Sequence, residues 1–346
     1  MSFIPPCKTV GVEVELLAPL DGSRKQLAEL IAARIDGSVE PFFHLDSEPS
    51  KVKNKPIFYH LTQGFKVLDR NGKWLAKCVD DITLQRDLDK SVLPKEGWYR
   101  IVSDDVRLLR LLLRHTPSGA TIEESLVALG ELFGTTPEQT TKGVYRLLDE
   151  SNTSLALAAP LPGERERACE LITAPLTVDD RTTLPLLLDC AKELGFTLPN
   201  EGATHIHFDA KPFCSAPILS DTMQLLHSQR DELREVLHTN PYCRRLGAWS
   251  DQLMELVSSD TFRELEWKDA QQPLLRLKPS KYCDVNIRNI AFGTALKHTL
   301  EVRTLPSTLD SAAIFSAMDR FQQIFASVIE QQDQSESGTD TLLQTA

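Results

Sequence analysis

Three short apolar segments of the chain carry acidic, basic or imidazole side chains at every second position. The pairs are Glu13 and Glu15 in Val10–Leu16, His205 and His207 in Thr204–Asp209, and Glu301 and Arg303 in Thr299–Leu305. Because successive side chains of a β-strand point to opposite faces, both members of a pair lie on the same side of their strand. Carboxylates that face one another cost free energy unless cations compensate them. A sheet face built from Glu and His therefore predicts a divalent-metal site.

A fourth carboxylate, Glu170, lies inside the apolar segment Ala168–Ile172, where a charge is costly unless it is paired or bound to metal. Each signal alone has a plainer interpretation. Alternating Glu residues often form a solvated face, two His residues can be hydrogen-bonded core groups, and Glu301 and Arg303 can form a cross-strand ion pair. Neutral imidazole and carboxylate are nevertheless both ligands of divalent ions, and all four signals indicate the same kind of site.

The elements that must position these residues alternate between strands and helices. After the first strand, Ser23 precedes a predicted helix over 24–35, and Asn71-Gly72 predicts a hairpin turn. Further along, we predict strands over 168–173 and 282–290, helices over 181–194, 220–238 and 311–330, and an irregular region between 238 and 282. Strands with polar and apolar alternation favour an α+β fold whose antiparallel sheet keeps one face open.

The segment over residues 104–150 is rich in leucine and predicts three short helices, the last over 137–148. Three short helices also suggest a helix-turn-helix DNA reader, but a basic recognition helix is missing. We therefore expect a single catalytic domain over residues 1–331 with a helical insertion at about 104–150. The polar residues 332–346 predict a disordered tail.

Composition excludes several classes of function. The net charge of −11 argues against nucleic-acid partners and anionic membrane surfaces. The seven cysteines are scattered without a Cys-x-x-Cys pair, so neither a disulfide framework nor a thiolate zinc site is indicated. We find no signal-peptide pattern and no apolar run of membrane-spanning length, and we therefore expect a cytoplasmic protein without a membrane partner.

The order of the motifs along the chain resembles that of the amidoligase family, a branch of the carboxylate–amine ligases related to glutamine synthetase and glutamate–cysteine ligase. The resemblance covers about residues 10–310 apart from 104–150. Its motifs, in order, are Gly11–Glu15, Trp74 leading to Asp80–Leu84, Glu170–Leu176, Gly202–His207, Tyr282–Asn286 and Thr299–Arg303.

The resemblance implies an ATP-dependent ligase that joins a small-molecule or peptide carboxylate to an amine through an acyl phosphate. It implies a glutamine-synthetase-like catalytic sheet, with ATP and Mg²⁺ or Mn²⁺ as cofactors. The implied metal ligands are Glu13, Glu15, Glu170, His205 and Glu301. Glu301 and Arg303 would be catalytic, and the implied nucleotide contacts are His207, Asn286, Arg303 and Lys281, although Lys281 also fits ordinary solvated surface.

The chain departs from the family pattern where many relatives have Asp-Gly-Ser. It has Asp80-Asp81-Ile82-Thr83 instead, which leaves open which aspartate takes the expected role. Two rival functions also stay open: a metal-dependent hydrolase, and a catalytically silent binding protein. The arginine at 303 favours the ligase, because a nucleotide-using enzyme needs a guanidinium fork and a hydrolase does not. A phosphate-binding Gly-x-x-x-x-Gly-Lys loop is missing, so ATP binding would depend on metals and the sheet.

Overall fold

A computed structural model describes residues 5–140, 143–243, 245–293 and 297–343 of the chain. The chain divides into two compact units. Unit 1 is built from Met1–Val14, Pro175–Leu188 and Glu201–Ala346, and unit 2 from Glu15–Ala174 and Asp189–Asn200. Each unit has an antiparallel sheet with helices packed on it, which confirms the predicted α+β class. The single domain over residues 1–331 stays a prediction.

Unit 1 is formed by residues from three separate stretches of sequence. Two of its elements continue into unit 2, namely β1 (Thr9–Leu17) and α4 (Thr183–Glu193). Its remaining strands are β11 (Leu176–Thr177), β12 (Ala203–Asp209), β13 (Val285–Asn286) and β14 (Thr299–Pro306). Its remaining helices are α5 (Ala216–Ser228), α6 (Arg230–Val236), α7 (Asp251–Val257), α8 (Asp260–Arg263), α9 (Trp267–Leu277), α10 (Arg288–Ala291) and α11 (Ser311–Leu343).

The sheet of unit 1 has the strand order β13-β14-β12-β1-β11, and every pairing in it is antiparallel. One face is apolar, with Val12, Ile206 and Val302 in register and fully buried. Helix α11 contributes Phe325, whose ring lies 5.1 Å from that of Phe208 and 4.8 Å from that of Phe213. The opposite face carries the polar residues singled out above, so the predicted division of the faces is correct.

Unit 2 contains the longer sheet. Its strands are β2 (Ser38–Leu45), β3 (Ser50–Lys51), β4 (Ile57–Leu68), β5 (Trp74–Val79), β6 (Tyr99–Ser103), β7 (Glu138–Gln139), β8 (Tyr145–Leu148), β9 (Ser154–Pro160) and β10 (Ala168–Thr173). Its helices are α1 (Arg24–Arg34), α2 (Val106–His115) and α3 (Val127–Phe133), with a short 3₁₀ turn at Glu124–Leu126. The predicted hairpin at Asn71-Gly72 joins β4 to β5, and Gly72 has φ 76°.

The order in this sheet is β10-β5-β4-β6-β9-β8-β7, with β2 and β3 also paired to β4. Leu61, Ile101 and Ala158 come from three of its strands and are fully buried. Leu109 and Leu112 of α2 belong to the same apolar cluster. The insertion therefore packs its helices on one face of the sheet of unit 2, and this face is the core of the unit.

The predicted helix over 137–148 is wrong, because this segment forms the hairpin of β7 and β8. Gly143 has φ 72°, a left-handed conformation that a helix interior excludes, and Val144 and Tyr145 favour a strand. Strand β8 pairs with β9 from Tyr145 to Leu148, so pairing across the sheet outweighs the weak helical spacing. Residues 141 and 142 lie outside the described residues. The insertion is thus part helix and part strand.

Three further predictions need correction. The strand over 282–290 is limited to Val285–Asn286, because Ile287 turns the backbone into α10. The region between 238 and 282 is helical rather than irregular, with Ser250 and Ser259 capping α7 and α8. The helix over 220–238 is two helices that break at Gln229. Helix α11 continues past residue 330 to Leu343, and the disordered tail stays a prediction, with residues 344–346 outside the described ones.

Candidate metal centre

The first contact of the polar face in unit 1 joins β1 to β12. Glu13 lies directly opposite His205 in the register, and Nδ1 of His205 is 3.5 Å from Oε2 of Glu13. The other residue of β12 on this face, His207, is opposite Gly11. Nε2 of the His207 ring lies 3.3 Å from Oε2 of Glu13.

The second contact brings β14 to the same place. His207 pairs with Glu301 in the register, and Nδ1 of His205 lies 3.6 Å from Oε1 of Glu301. One ligand atom from each of Glu13, His207 and Glu301 lies within 4.8 Å of the other two. These side chains are all largely buried, with exposed fractions of 13%, 12% and 7%. Two carboxylates and an imidazole therefore converge in a sheltered position.

The electrostatics of the cluster keep both carboxylates ionised. Burial alone would raise the pKa of Glu13, but His207, His205 and Lys297 outweigh it and hold that pKa well below its usual range. The pKa of Glu301 is lowered to about 2, because His207, Arg303 and His205 outweigh its burial. Burial and the nearby Arg303 lower the pKa of His205, whereas the two carboxylates raise the pKa of His207 despite its burial.

Two neighbours fix the Glu301 carboxylate. Asn286 of β13 donates from Nδ2 to Oε2 at 2.7 Å, and the Arg303 guanidinium donates to Oε1. Arg303 is itself 6% exposed, and its backbone N–H donates to the carbonyl of Asp284. The Asp284 carboxylate in turn accepts from Nε of Arg230 at 2.8 Å. The orientation of Glu301 is therefore set by a chain of hydrogen bonds within unit 1.

The donor set fits a divalent cation. Carboxylate oxygens suit Mg²⁺, and an imidazole nitrogen beside them also suits Mn²⁺. Nε2 of His207 is buried and has no hydrogen bond of good geometry among the described residues, although it faces Glu13. Its other ring nitrogen lies 3.1 Å from Oγ1 of Thr299, which fixes the ring orientation. A buried ring nitrogen that faces an ionised carboxylate in this way is suited to bind a metal ion.

Sequence reasoning missed two residues of this environment. Thr299 has no charge and was found only through its contact with His207. Lys297 lies just before β14, and its Nζ is 4.0 Å from Oε1 of Glu13, although its side chain is 66% exposed. A lysine two positions before a strand is an ordinary surface feature, so no pattern in the sequence could have indicated its proximity to Glu13.

Three further residues were predicted for the site, namely Glu15, Glu170 and Lys281. Glu15 follows Glu13 by two positions on β1, is fully buried and belongs to unit 2. Glu170 also belongs to unit 2, on β10 opposite Val79 of β5. Lys281 lies on the loop before β13, with its ammonium 5.7 Å from the Tyr282 ring, and takes part in none of the contacts above. The metal roles of Glu15 and Glu170 stay predictions.

The two aspartates left open by the sequence have different surroundings in unit 2. Asp80 forms a buried ion pair with Arg165. Asp81 instead accepts from the backbone N–H of Thr83 at 2.8 Å and from its hydroxyl at 2.5 Å. Asp81 therefore closes a local turn, whereas Asp80 compensates a buried guanidinium.

The fold and the site together define a class of protein in which an open antiparallel sheet face holds histidines and carboxylates suited to divalent metal. A family model described as "Putative amidoligase enzyme" matches residues 6–325, and the chain belongs to this family. The resemblance read from the motif order is thereby confirmed. Comparison with curated proteins and with solved structures gave no match. Among the described residues, no helix combines the length and apolar character needed to cross a membrane.

Proposed function

We propose that this protein is an ATP-dependent carbon–nitrogen ligase that joins a carboxylate to an amine. In this reaction a carboxylate oxygen attacks the γ-phosphorus of ATP and releases ADP, and the amine then attacks the acyl carbon and releases phosphate. The single observation that carries the proposal is the convergence of ligand atoms from Glu13, His207 and Glu301. Membership of the amidoligase family supports the reaction class.

The predicted metal ligands and Arg303 suit this chemistry. Glu13, His207 and Glu301 would hold a divalent ion, with His205 beside them, and the predicted ligands Glu15 and Glu170 would serve a second one. When bound, Mg²⁺ or Mn²⁺ neutralises negative charge on phosphate and carboxylate groups. Arg303 supplies a guanidinium that is always protonated and fixed against Glu301, and it is suited to stabilise charge that develops on a transferred phosphoryl group.

The substrates that fit the proposal are a small-molecule or peptide carboxylate and an amine. Asn286, which donates to Glu301, would help to orient the phosphate or the substrate. Lys281, whose ammonium lies over the Tyr282 ring, would contribute positive charge to the nucleotide site from a greater distance. We further propose that the enzyme works in the cytoplasm, where ATP and Mg²⁺ are both present.

Calorimetric titration tests the nucleotide part of the proposal. The purified protein is titrated with a non-hydrolysable ATP analogue, with and without Mg²⁺, and with Mn²⁺ alone. We expect nucleotide binding that needs the metal and that is lost in Glu13→Gln. The matched control is Glu235→Gln, which makes the same change at an exposed position of α6 in the same unit. Equal metal binding by wild type and Glu13→Gln would contradict the metal assignment.

Hydroxylamine tests the acyl phosphate, because it captures such intermediates as hydroxamates. The protein is incubated with ATP, Mg²⁺, hydroxylamine and a panel of amino-acid and peptide carboxylates. We expect hydroxamate and ADP in equal amounts for the true substrate. Metal binding without any nucleotide binding would instead support the hydrolase.

A further inference from the structure

A second group of polar side chains lies in unit 2, on the face of the sheet opposite to the α2 core. Thr62 of β4 is directly opposite Arg100 of β6, and His60 lies two positions from Thr62 on the same face. Leu61 and Ile101, which alternate with them, are buried in the apolar cluster. Alternation therefore places His60, Thr62 and Arg100 together on one side of the sheet.

These three side chains have buried polar atoms that form no hydrogen bond with the described residues. Thr62 is fully buried and His60 is 3% exposed. Among the described residues, Oγ1 of Thr62, Nδ1 of His60 and Nε of Arg100 each lack a hydrogen-bond partner. A buried polar atom without a hydrogen bond destabilises the folded state, so three on neighbouring positions of one face are unusual for a purely structural region.

The charge of Arg100 is also uncompensated. No carboxylate of the described part of the chain lies within ion-pairing distance of its guanidinium. Asp80 is close enough to act on it electrostatically, but Asp80 is already bonded to Arg165. Burial and the positive charge of Arg165 lower the pKa of Arg100, and the negative charge of Asp80 only partly opposes them.

We propose that Arg100, Thr62 and His60 form a binding site for the oxyanion of a ligand, a carboxylate or a phosphate group. Arg100 supplies the charge and a planar pair of N–H donors, and Thr62 supplies a hydroxyl donor. The Ser50 hydroxyl lies 2.8 Å from Nε2 of His60. When Ser50 donates there, the neutral ring carries its hydrogen on Nδ1 and becomes the third donor.

The three unsatisfied atoms are buried, whereas the Arg100 side chain as a whole is only partly buried. Binding of an oxyanion at Thr62 and His60 therefore requires the Arg100 side chain to move. This site shares no residue with the metal centre of unit 1. The proposal is consequently independent of the ligase function, and either can fail without the other.

Thermal unfolding with added anions tests the site. Wild-type protein is titrated with sodium phosphate and with sodium glutarate, and sodium chloride at matched ionic strength is the reference. We expect a saturable rise in Tm of roughly 3–6 °C at ten times the Kd of the preferred oxyanion. A stronger response to phosphate identifies a phosphoryl ligand, and a stronger response to glutarate identifies a carboxylate ligand.

The variants separate a binding role from a structural one. Arg100→Gln should abolish the response and, without anion, should raise Tm because it removes an uncompensated charge. Thr62→Val keeps the side-chain shape and should weaken anion binding about tenfold. Arg107→Gln removes an equal charge from a side chain that is 83% exposed and should respond like wild type. A response no larger than that to chloride, or an unchanged response in both Arg100→Gln and Thr62→Val, would overturn the proposal.

Discussion

At the scale of single residues, the metal centre depends on side chains that hold other side chains. Glu301 accepts from both Asn286 and Arg303, and these two hydrogen bonds set the orientation of its carboxylate. Thr299 does the same for the ring of His207. A metal site favours ions of one coordination geometry when its ligands are held rigidly. The residues that hold the ligands therefore matter as much as the ligands themselves.

Arg303→Lys should reduce turnover by about 100-fold while metal affinity changes little. Lysine keeps the positive charge but loses the planar fork that can bond to Glu301 and to a phosphoryl group together. Steady-state phosphate release and Mn²⁺ calorimetry on the same preparation check this. A parallel loss of metal binding would mean that Arg303 acts only by positioning Glu301.

Asp46 gives the protein a pH-dependent stability that can be measured directly. Burial raises its pKa to about 7, and the negative charges of Asp81 and Asp80 add to the effect. Because this carboxyl binds its proton more tightly in the folded than in the unfolded state, its contribution to stability is present at low pH. That contribution is lost as the pH rises through about 7.

The comparison of wild type with Asp46→Asn isolates this effect. Relative to the variant, wild type should lose on the order of 3 kcal/mol of unfolding free energy between pH 5 and pH 8. Urea unfolding at both pH values measures the change, and the other titrating groups cancel in the difference. A difference between the two proteins that does not vary with pH would contradict the raised pKa.

Most side chains of the metal centre could be predicted from the sequence, because alternation along a strand is a local property. Glu13, His205 and Glu301 lie on apolar strands, and their side chains share one face of the sheet. The unit 2 residues were missed for a physical reason: Arg100 and Thr62 lie on separate strands, 38 positions apart in the numbering. Only the register of β4 with β6 shows that they are neighbours.

At the scale of elements, the sequence predicted helices and hairpins well where the signal was short-range. Ser23 caps α1 as expected, accepting from the backbone N–H of Gln26, and β10 has the predicted limits of residues 168–173. The helix predicted over 137–148 was wrong because part of this segment pairs with β9, a strand that lies further along the chain. A helix is predicted from the spacing of apolar residues within one short segment, whereas strand pairing also depends on residues outside that segment.

The turn between β4 and β5 gives a test at this scale. Gly72 has φ 76° and no atom near the position of a Cβ, so substitution there is opposed by backbone conformation alone. Gly72→Ala should lower the unfolding free energy by about 1–2 kcal/mol, and Gly72→Asn should restore most of it. Gly119→Ala is the control, since that position has equal space without the left-handed backbone. Equal effects of the two alanine substitutions in urea unfolding would contradict this account.

At the scale of the whole molecule, the two proposed sites belong to different units and should stabilise different strands. Mn²⁺ at ten times its Kd should slow amide hydrogen exchange about tenfold in β12 and β14 of unit 1. The preferred oxyanion should instead slow exchange in β4 and β6 of unit 2. Hydrogen-exchange mass spectrometry with each ligand separately checks the assignment. Protection of the same peptides by both ligands would contradict two separate sites.

The discontinuous sequence of unit 1 has a consequence for how the protein is made. Glu13 is synthesised first, and its partner Glu301 is added 288 residues later. At about 5–20 residues per second, the nascent chain spends roughly 15–60 s without a complete set of ligands. Most of unit 2, by contrast, is one continuous stretch, Glu15–Ala174, that is complete before Glu301 is added. The proposed metal site therefore lacks part of its ligand set until β14 has been synthesised, and an ion that needs all three ligands could bind there only afterwards.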